Sequence, residues 1–202
     1  LLNPDTEISK DFFTNIFSYI HNNPKIGIIG PRIVNDDGSE QASIRRNPSL
    51  LSQILVMFKL TNIPILNRLL NNYLFKDFDY NKEQSVEQVM GAAMFIRKSV
   101  FDKIGVFDEK FFVWFEEVDL CKRASTAGIK IKYFPGASII HHGAQSFSKA
   151  NSLKKQIIFN KSLLNYFTKH KPFWQALLVF LLIPVNIILT LIYVIFRKSK
   201  TK

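Results

Sequence analysis

One cysteine, Cys121, stands in 202 residues, so the chain can form no internal disulfide and fits a reducing compartment. No histidine lies near it in sequence to activate a thiol, and it reads as core filler. Acidic residues give out toward the end. From Lys149 to Lys202 there are ten Lys or Arg and no Asp or Glu, leaving 17 basic against 16 acidic residues before that point. The body is near neutral and the tail carries almost all of the net +11. A nucleic-acid binder spreads its cations over the folded face that meets phosphates, so this pattern points to no nucleic acid. Charge of either sign is missing from Phe173 to Phe196, FWQALLVFLLIPVNIILTLIYVIF, 24 positions, enough to cross a bilayer core as a helix. No signal peptide and no initiator Met are seen at the start, and the true N-terminus is expected upstream of Leu1.

What is present organises around Phe111 to Ser146. Phe112 and Trp114 alternate with Val113 and Phe115, which predicts a buried strand delivering Glu116 and Glu117 to its end. Carboxylates held against an apolar wall repel one another, and the proton affinity of one of them rises, as a general base near neutral pH requires. An acidic first turn favoured by the helix macrodipole accounts for the same pair. Val118, Leu120 and Cys121 then face a core, and the stretch closes in a His141-His142-Gly143 turn.

Before it, Leu1 to Asp5 reads as the end of an apolar strand stopped at Pro4, leaving Asp5 exposed, where it can hold a metal or serve the turn. Lys10 to Asn22 has helical spacing, with Phe12, Phe13, Ile16, Phe17 and Ile20 as core. Ile26 to Val34 is a buried strand, and Asn35-Asp36-Asp37-Gly38 a hairpin tip without the later glutamate of a calcium loop. Arg45-Arg46 fits a phosphate contact or a solvated edge. Leu50 to Tyr80, interrupted by Pro64, carries no assignable chemistry and reads as a variable or mobile insert. Val86 to Arg97 gives two short strands joined at Gly91-Ala92-Ala93, where small residues let a ligand or backbone approach. A short helix from Ser99, capped by its side chain, is stopped by Gly105. The order predicts a mixed α/β layer with loops gathered at one edge.

LLNPD at 1 to 5, GPRIVNDDGSEQASIRRNPS at 30 to 49, GAAMFIRKSVFDKIGVFDEKFFVWFEEVDLCKRASTAG at 91 to 128 and HHGAQS at 141 to 146 resemble successive motifs of family 2 glycosyltransferases, most nearly those of rhamnosyltransferase type. The resemblance implies the C-terminal portion of a GT-A fold, a mixed sheet with flanking helices over residues 1–148. A basic linker helix at 149–172, a membrane-associated helix at 173–196 and a basic tail at 197–202 follow. It implies inverting transfer from a dTDP- or UDP-sugar, most nearly dTDP-rhamnose, to a lipid-linked or polysaccharide acceptor at the cytoplasmic membrane face. Galactofuranosyl or N-acetylhexosaminyl transfer, and a catalytically silent membrane-anchored scaffold, are the alternatives. Asn3-Pro4-Asp5 falls on the family's Asp-x-Asp motif with Asn in the first place, so Asn3 and Asp5 would meet the donor and Asp5 the metal. His141 matches the histidine that reaches metal or diphosphate, and a nitrogen ligand suits Mn²⁺ better than Mg²⁺. Glu117 falls on the base position, usually Asp. Glu116, Gly91, Ala92, Asp119 and Arg123 fall on acceptor-side positions, the last two equally suited to a structural salt bridge. In the family, strands ahead of the metal motif bind the nucleotide and form the sheet centre. Their absence is expected to leave strands such as Ile26 to Val34 along an unpaired edge.

Overall fold

The computed structural model describes residues 1–60, 63–143 and 152–199. In chain order its elements are β1 (Thr6–Ile8), α1 (Phe12–Asn22), β2 (Ile26–Val34), β3 (Ile44–Arg45), α2 (Leu50–Met57), α3 (Pro64–Leu74), β4 (Gln84–Ser85), β5 (Gln88–Val89), β6 (Phe95–Ile96), α4 (Lys98–Ile104), α5 (Glu116–Thr126), β7 (Lys130–His141), α6 (Ser152–His170) and α7 (Phe173–Ser199). They fall into two units. The first gathers Leu1–Asn47, Asn71–Asp108 and the stretch from Glu117 to the end of β7; the second gathers Pro48–Leu70, Glu109–Glu116 and the two C-terminal helices.

The first unit is a mixed α/β layer. Its main sheet runs β1-β7-β2-β6, with β4 also on β7, and β3 pairs β5 in a separate ribbon. β7 lies parallel to β2 and antiparallel to β1 and β4. The parallel pair needs a long crossover, which the intervening helices supply. β2 is an almost unbroken apolar run because both its faces are covered. Ile29 and Ile33 pack with Phe12 and Ile16 of α1 on one side. On the other, Ile28 joins Ile131 and Tyr133 of β7, Val100 of α4, and Leu120, Cys121 and Ala124 of α5. Ile28, Ile29 and Ile33 are each no more than 2 % exposed, so each contributes about 1.5–3 kcal/mol by burial. Gly30 lets β5 approach closely, since a Cβ there would stand 2.5 Å from Val89 Cγ1.

In the second unit α6 and α7 are joined through Lys171 and Pro172, so they run antiparallel. Trp114 and Phe115 pack on Phe159, and Phe115 also on Tyr166. A chain of buried amides links the helices. Gln156 donates to Asn160 Oδ1 (3.1 Å), Asn160 to Asn186 Oδ1 (2.8 Å), and Asn186 to the Met57 carbonyl at the end of α2 (2.7 Å).

Several expectations are corrected. Residues 112–115 form bends, not a strand: Trp114 and Phe115 have φ of 65° and 70°, which no strand allows. The bend is held by Ser162 Oγ donating to Val113 O and Asn165 Nδ2 to Lys110 O. The strand near the N-terminus follows Asp5 as β1, while Leu2 makes only an isolated bridge to Ala93. Phe12 and Ile16 are core, but Phe13 and Phe17 are exposed; they stack on each other and edge onto Phe95. Residues 50–74 contain two helices. α4 begins at Lys98 with no side-chain cap from Ser99. β2 is not an unpaired edge, for Ile28 and Ile29 pair with β6 on one side and β7 on the other. The single helix expected at 173–196 is found, as α7 with Pro184 inside it.

Candidate functional site

Three chain segments meet in the first unit. Leu1 and Met94 exchange backbone hydrogen bonds, and the Asn3 amide donates to Ala92 O (2.9 Å), so the N-terminal segment lies along residues 92–94. Pro4 then turns the chain into β1, whose Thr6 registers with His141 at the end of β7. The His142 amide closes the ladder on Asp5 O at 3.0 Å. Across this junction His141 Nε2 and Asp5 Oδ1 stand 3.5 Å apart, with side chains only 12 % and 15 % exposed.

The histidine is oriented from behind. Gln41 Oε1 accepts from His141 Nδ1 at 2.7 Å, Gln41 Nε2 donates to Asn35 Oδ1, Asn35 Nδ2 to Ser39 Oγ, and Ser39 Oγ to Asp37 Oδ1. The donors all run one way, ending on an anion whose pKa is lowered chiefly by the Ser39 hydroxyl. Gln41 thus fixes the ring at Nδ1, and Nε2 faces Asp5. A carboxylate beside an imidazole held from behind could offer two donors to a divalent ion, and Gln41 is the kind of outer partner that ligating histidines use. Among the described residues no group of three His, Cys, Asp or Glu side chains is set to hold a metal; Asp5 and His141 supply two donors. Sequence reading took residues 35–38 as a plain hairpin tip and missed Gln41 and Asn35. The polar run Asn35-Asp36-Asp37-Gly38-Ser39-Glu40-Gln41 was the signal there.

Gly91 lies beside Glu117: a Cβ on it would sit 3.7 Å from Glu117 Cβ and 3.8 Å from its Cγ and Cδ. Glu117 lies in the first turn of α5, which Leu120, Cys121 and Ala124 fasten into the core. Residue 91 keeps accessible surface, while Ala92 is 2 % exposed with its carbonyl taken by Asn3. The Cys121 thiol is pushed up to about 12 by burial, with the Glu117 charge adding to it, which leaves no thiolate for chemistry. In the second unit, burial raises the Glu116 carboxyl above the ordinary carboxylate range.

Asp119 is fully buried and accepts from Arg123 Nε at 2.8 Å. The same guanidinium donates to the carbonyls of Ile104, Gly105 and Val106. The pair braces the turn after α4 against α5. His142 reaches Asp36 through Nδ1 (2.5 Å) and Glu7 through Nε2 (3.1 Å). The Asp36 contact leads in raising its pKa.

No family model matches the chain. It is 28% identical over 178 residues to the N-acetylglucosaminyl-diphospho-decaprenol L-rhamnosyltransferase of Mycobacterium tuberculosis, covering 86% of this chain and 56% of that protein. It is 30% identical over 142 residues to the low-salt glycan biosynthesis hexosyltransferase Agl10 of Haloferax volcanii, covering 70% and 41%. To rhamnosyltransferase WbbL of Escherichia coli it is 28% identical over 159 residues, covering 74% and 55%. The chain spans about half the length of the curated relatives it matches. These likenesses, spread over most of the chain, support a relationship to glycosyltransferases.

Proposed function

We propose that this chain forms the catalytic and acceptor side of a membrane-associated, inverting glycosyltransferase of the GT-A kind. It would move rhamnose from dTDP-rhamnose to a lipid-linked or polysaccharide acceptor at the cytoplasmic face of the membrane. The observation that carries the reading is the meeting of Asp5 and His141 at 3.5 Å, on a strand end whose Asn3 is bonded to Ala92, next to Gly91 and Glu117.

In this reading Asp5 and His141 Nε2 would hold Mn²⁺ or Mg²⁺. Bound there, such an ion would supply positive charge to offset that of the departing diphosphate. Gln41 keeps His141 in the tautomer that binds. Glu117 takes the proton of the acceptor hydroxyl as its oxygen bonds to the anomeric carbon and the bond to the nucleotide diphosphate breaks. Gly91, with no side chain over the Glu117 carboxyl, leaves the acceptor oxygen a way in.

The test is transfer from dTDP-rhamnose by the full-length enzyme, this chain alone being expected inactive, with and without excess chelator. Loss on chelation and recovery with Mn²⁺ are expected; equal transfer in chelator contradicts the ion site. The Haloferax relative favours a second reading in which the sugar is a hexose. Competition between dTDP-rhamnose and UDP-hexoses separates the two.

A further inference from the structure

α7 has two unlike sides. Ala176, Val179, Asn186 and Thr190 are buried, whereas Trp174, Leu177, Leu181, Ile188, Ile192 and Ile195 are between 42 % and 65 % exposed. With Phe180, Val185, Leu189 and Phe196, which are exposed too, these positions make a broad apolar face along the helix, opposite the buried one. Its apolar stretch Phe173–Phe196 is 24 residues, about 36 Å at the helical rise, which by length alone crosses a bilayer core.

The packing of α7 argues otherwise. Asn186 stands next to the midpoint of that stretch, and its side chain is bonded both to Asn160 of α6 and to the Met57 carbonyl of α2. Thr190 Oγ1 donates to Asn186 O one turn further on. Were α7 to cross the membrane as packed, Asn160 would lie at the bilayer centre, and α6 would run beside α7 through hydrocarbon. Lys161, next to Asn160 and exposed, would then meet acyl chains at the depth where a lysine is most costly and farthest from either interface. The end of α2 would be drawn in with it.

We propose that α7 is an in-plane anchor: it lies along the surface of an anionic bilayer with the Trp174 to Ile195 face in the acyl boundary and α6 on its water side, and it does not cross. This rests on the membrane association proposed above and adds its geometry. Charge favours the same placement. Residues 149–202 hold ten Lys or Arg and no acid, matching an anionic surface. Lys59 lies 5.6 Å from the Tyr193 ring of α7. With Lys155, Trp114 and Phe159 it also lines a cleft of about 250 Å³, suited to a lipid phosphate at the headgroup level.

The test uses the full chain with a spin label at Trp174→Cys, Ile188→Cys or Ile195→Cys, all surface positions. It is bound to vesicles of phosphatidylcholine with phosphatidylglycerol, and label depth is read by oxygen against nickel relaxation. Cys121, fully buried with its thiol pushed up to about 12, does not compete for the reagent. The proposal expects all three labels at one shallow depth, within about 5–10 Å of the headgroup boundary, and weaker binding as phosphatidylglycerol is withdrawn. A label at Ile188→Cys in the midplane, with the other two near opposite interfaces, overturns it while keeping membrane association. No vesicle binding, with all labels in water, overturns both.

Discussion

His141 turns its Nε2 toward the Asp5 carboxylate at 3.5 Å while Gln41 holds its Nδ1 at 2.7 Å. That arrangement makes separable predictions for the three residues. Asp5→Ala should abolish metal-dependent binding of the nucleotide-sugar, and His141→Ala should weaken it. Gln41→Leu, which frees the ring without removing a ligand, should lower affinity for Mn²⁺ about 10-fold or more. Calorimetric titration of the full chain with Mn²⁺ and donor reads all three, and unchanged affinity in Asp5→Ala would refute the site.

His142 links β7 to the hairpin tip through Asp36 and to β1 through Glu7. Its pKa is raised from 6.5, first by the Asp36 hydrogen bond. The stability it contributes is therefore full below pH 6.5 and is lost as pH rises through the higher folded-state value. His142→Asn should lower the urea midpoint below pH 6.5 and leave it nearly unchanged above that window. An equal shift at pH 5.5 and pH 9 would contradict the linkage.

Arg123 is the bracing partner of a fully buried carboxylate. Arg123→Met should destabilise by on the order of 3 kcal/mol, because it removes the guanidinium bonded to the buried Asp119 carboxylate and to three carbonyls. Equilibrium urea unfolding measures this. A variant as stable as wild type, with only the acceptor KM raised, would make Arg123 a substrate group instead.

Gly30 is a packing glycine. Gly30→Ala would set its methyl 2.5 Å from Val89 Cγ1 and 2.7 Å from Val89 Cβ, an overpacking cost of about 1–3 kcal/mol. Combined with Val89→Ala the loss should be partly recovered, which a double-mutant cycle detects.

Legibility from sequence followed the range of the forces involved. Ile26 to Val34 was readable to its last residue because Asn-Pro precedes it, Asn-Asp-Asp-Gly follows it, and burial on both faces makes it apolar throughout. Residues 112–115 misled, since alternating aromatics look like a strand, whereas α6 side chains hold that segment in a bend. Pro64 read as an interruption and is the first residue of a helix, a position where proline is at ease. The cap of α2 was hidden because Ser52, not Glu or Gln, completes the box with Ser49. Asp5 and His141 came to notice through motifs. Their neighbours Gln41 and Asn35 depend on the pairing of β1 with β7, which no local pattern encodes.

The most direct measurement of the central claim is the transfer rate of the full-length enzyme carrying Glu117→Gln, which keeps the shape beside Gly91 and removes the base. Glycosyl transfer should fall by about 10²-fold or more, with donor affinity nearly unchanged. Transfer near the wild-type rate would contradict the assignment of Glu117.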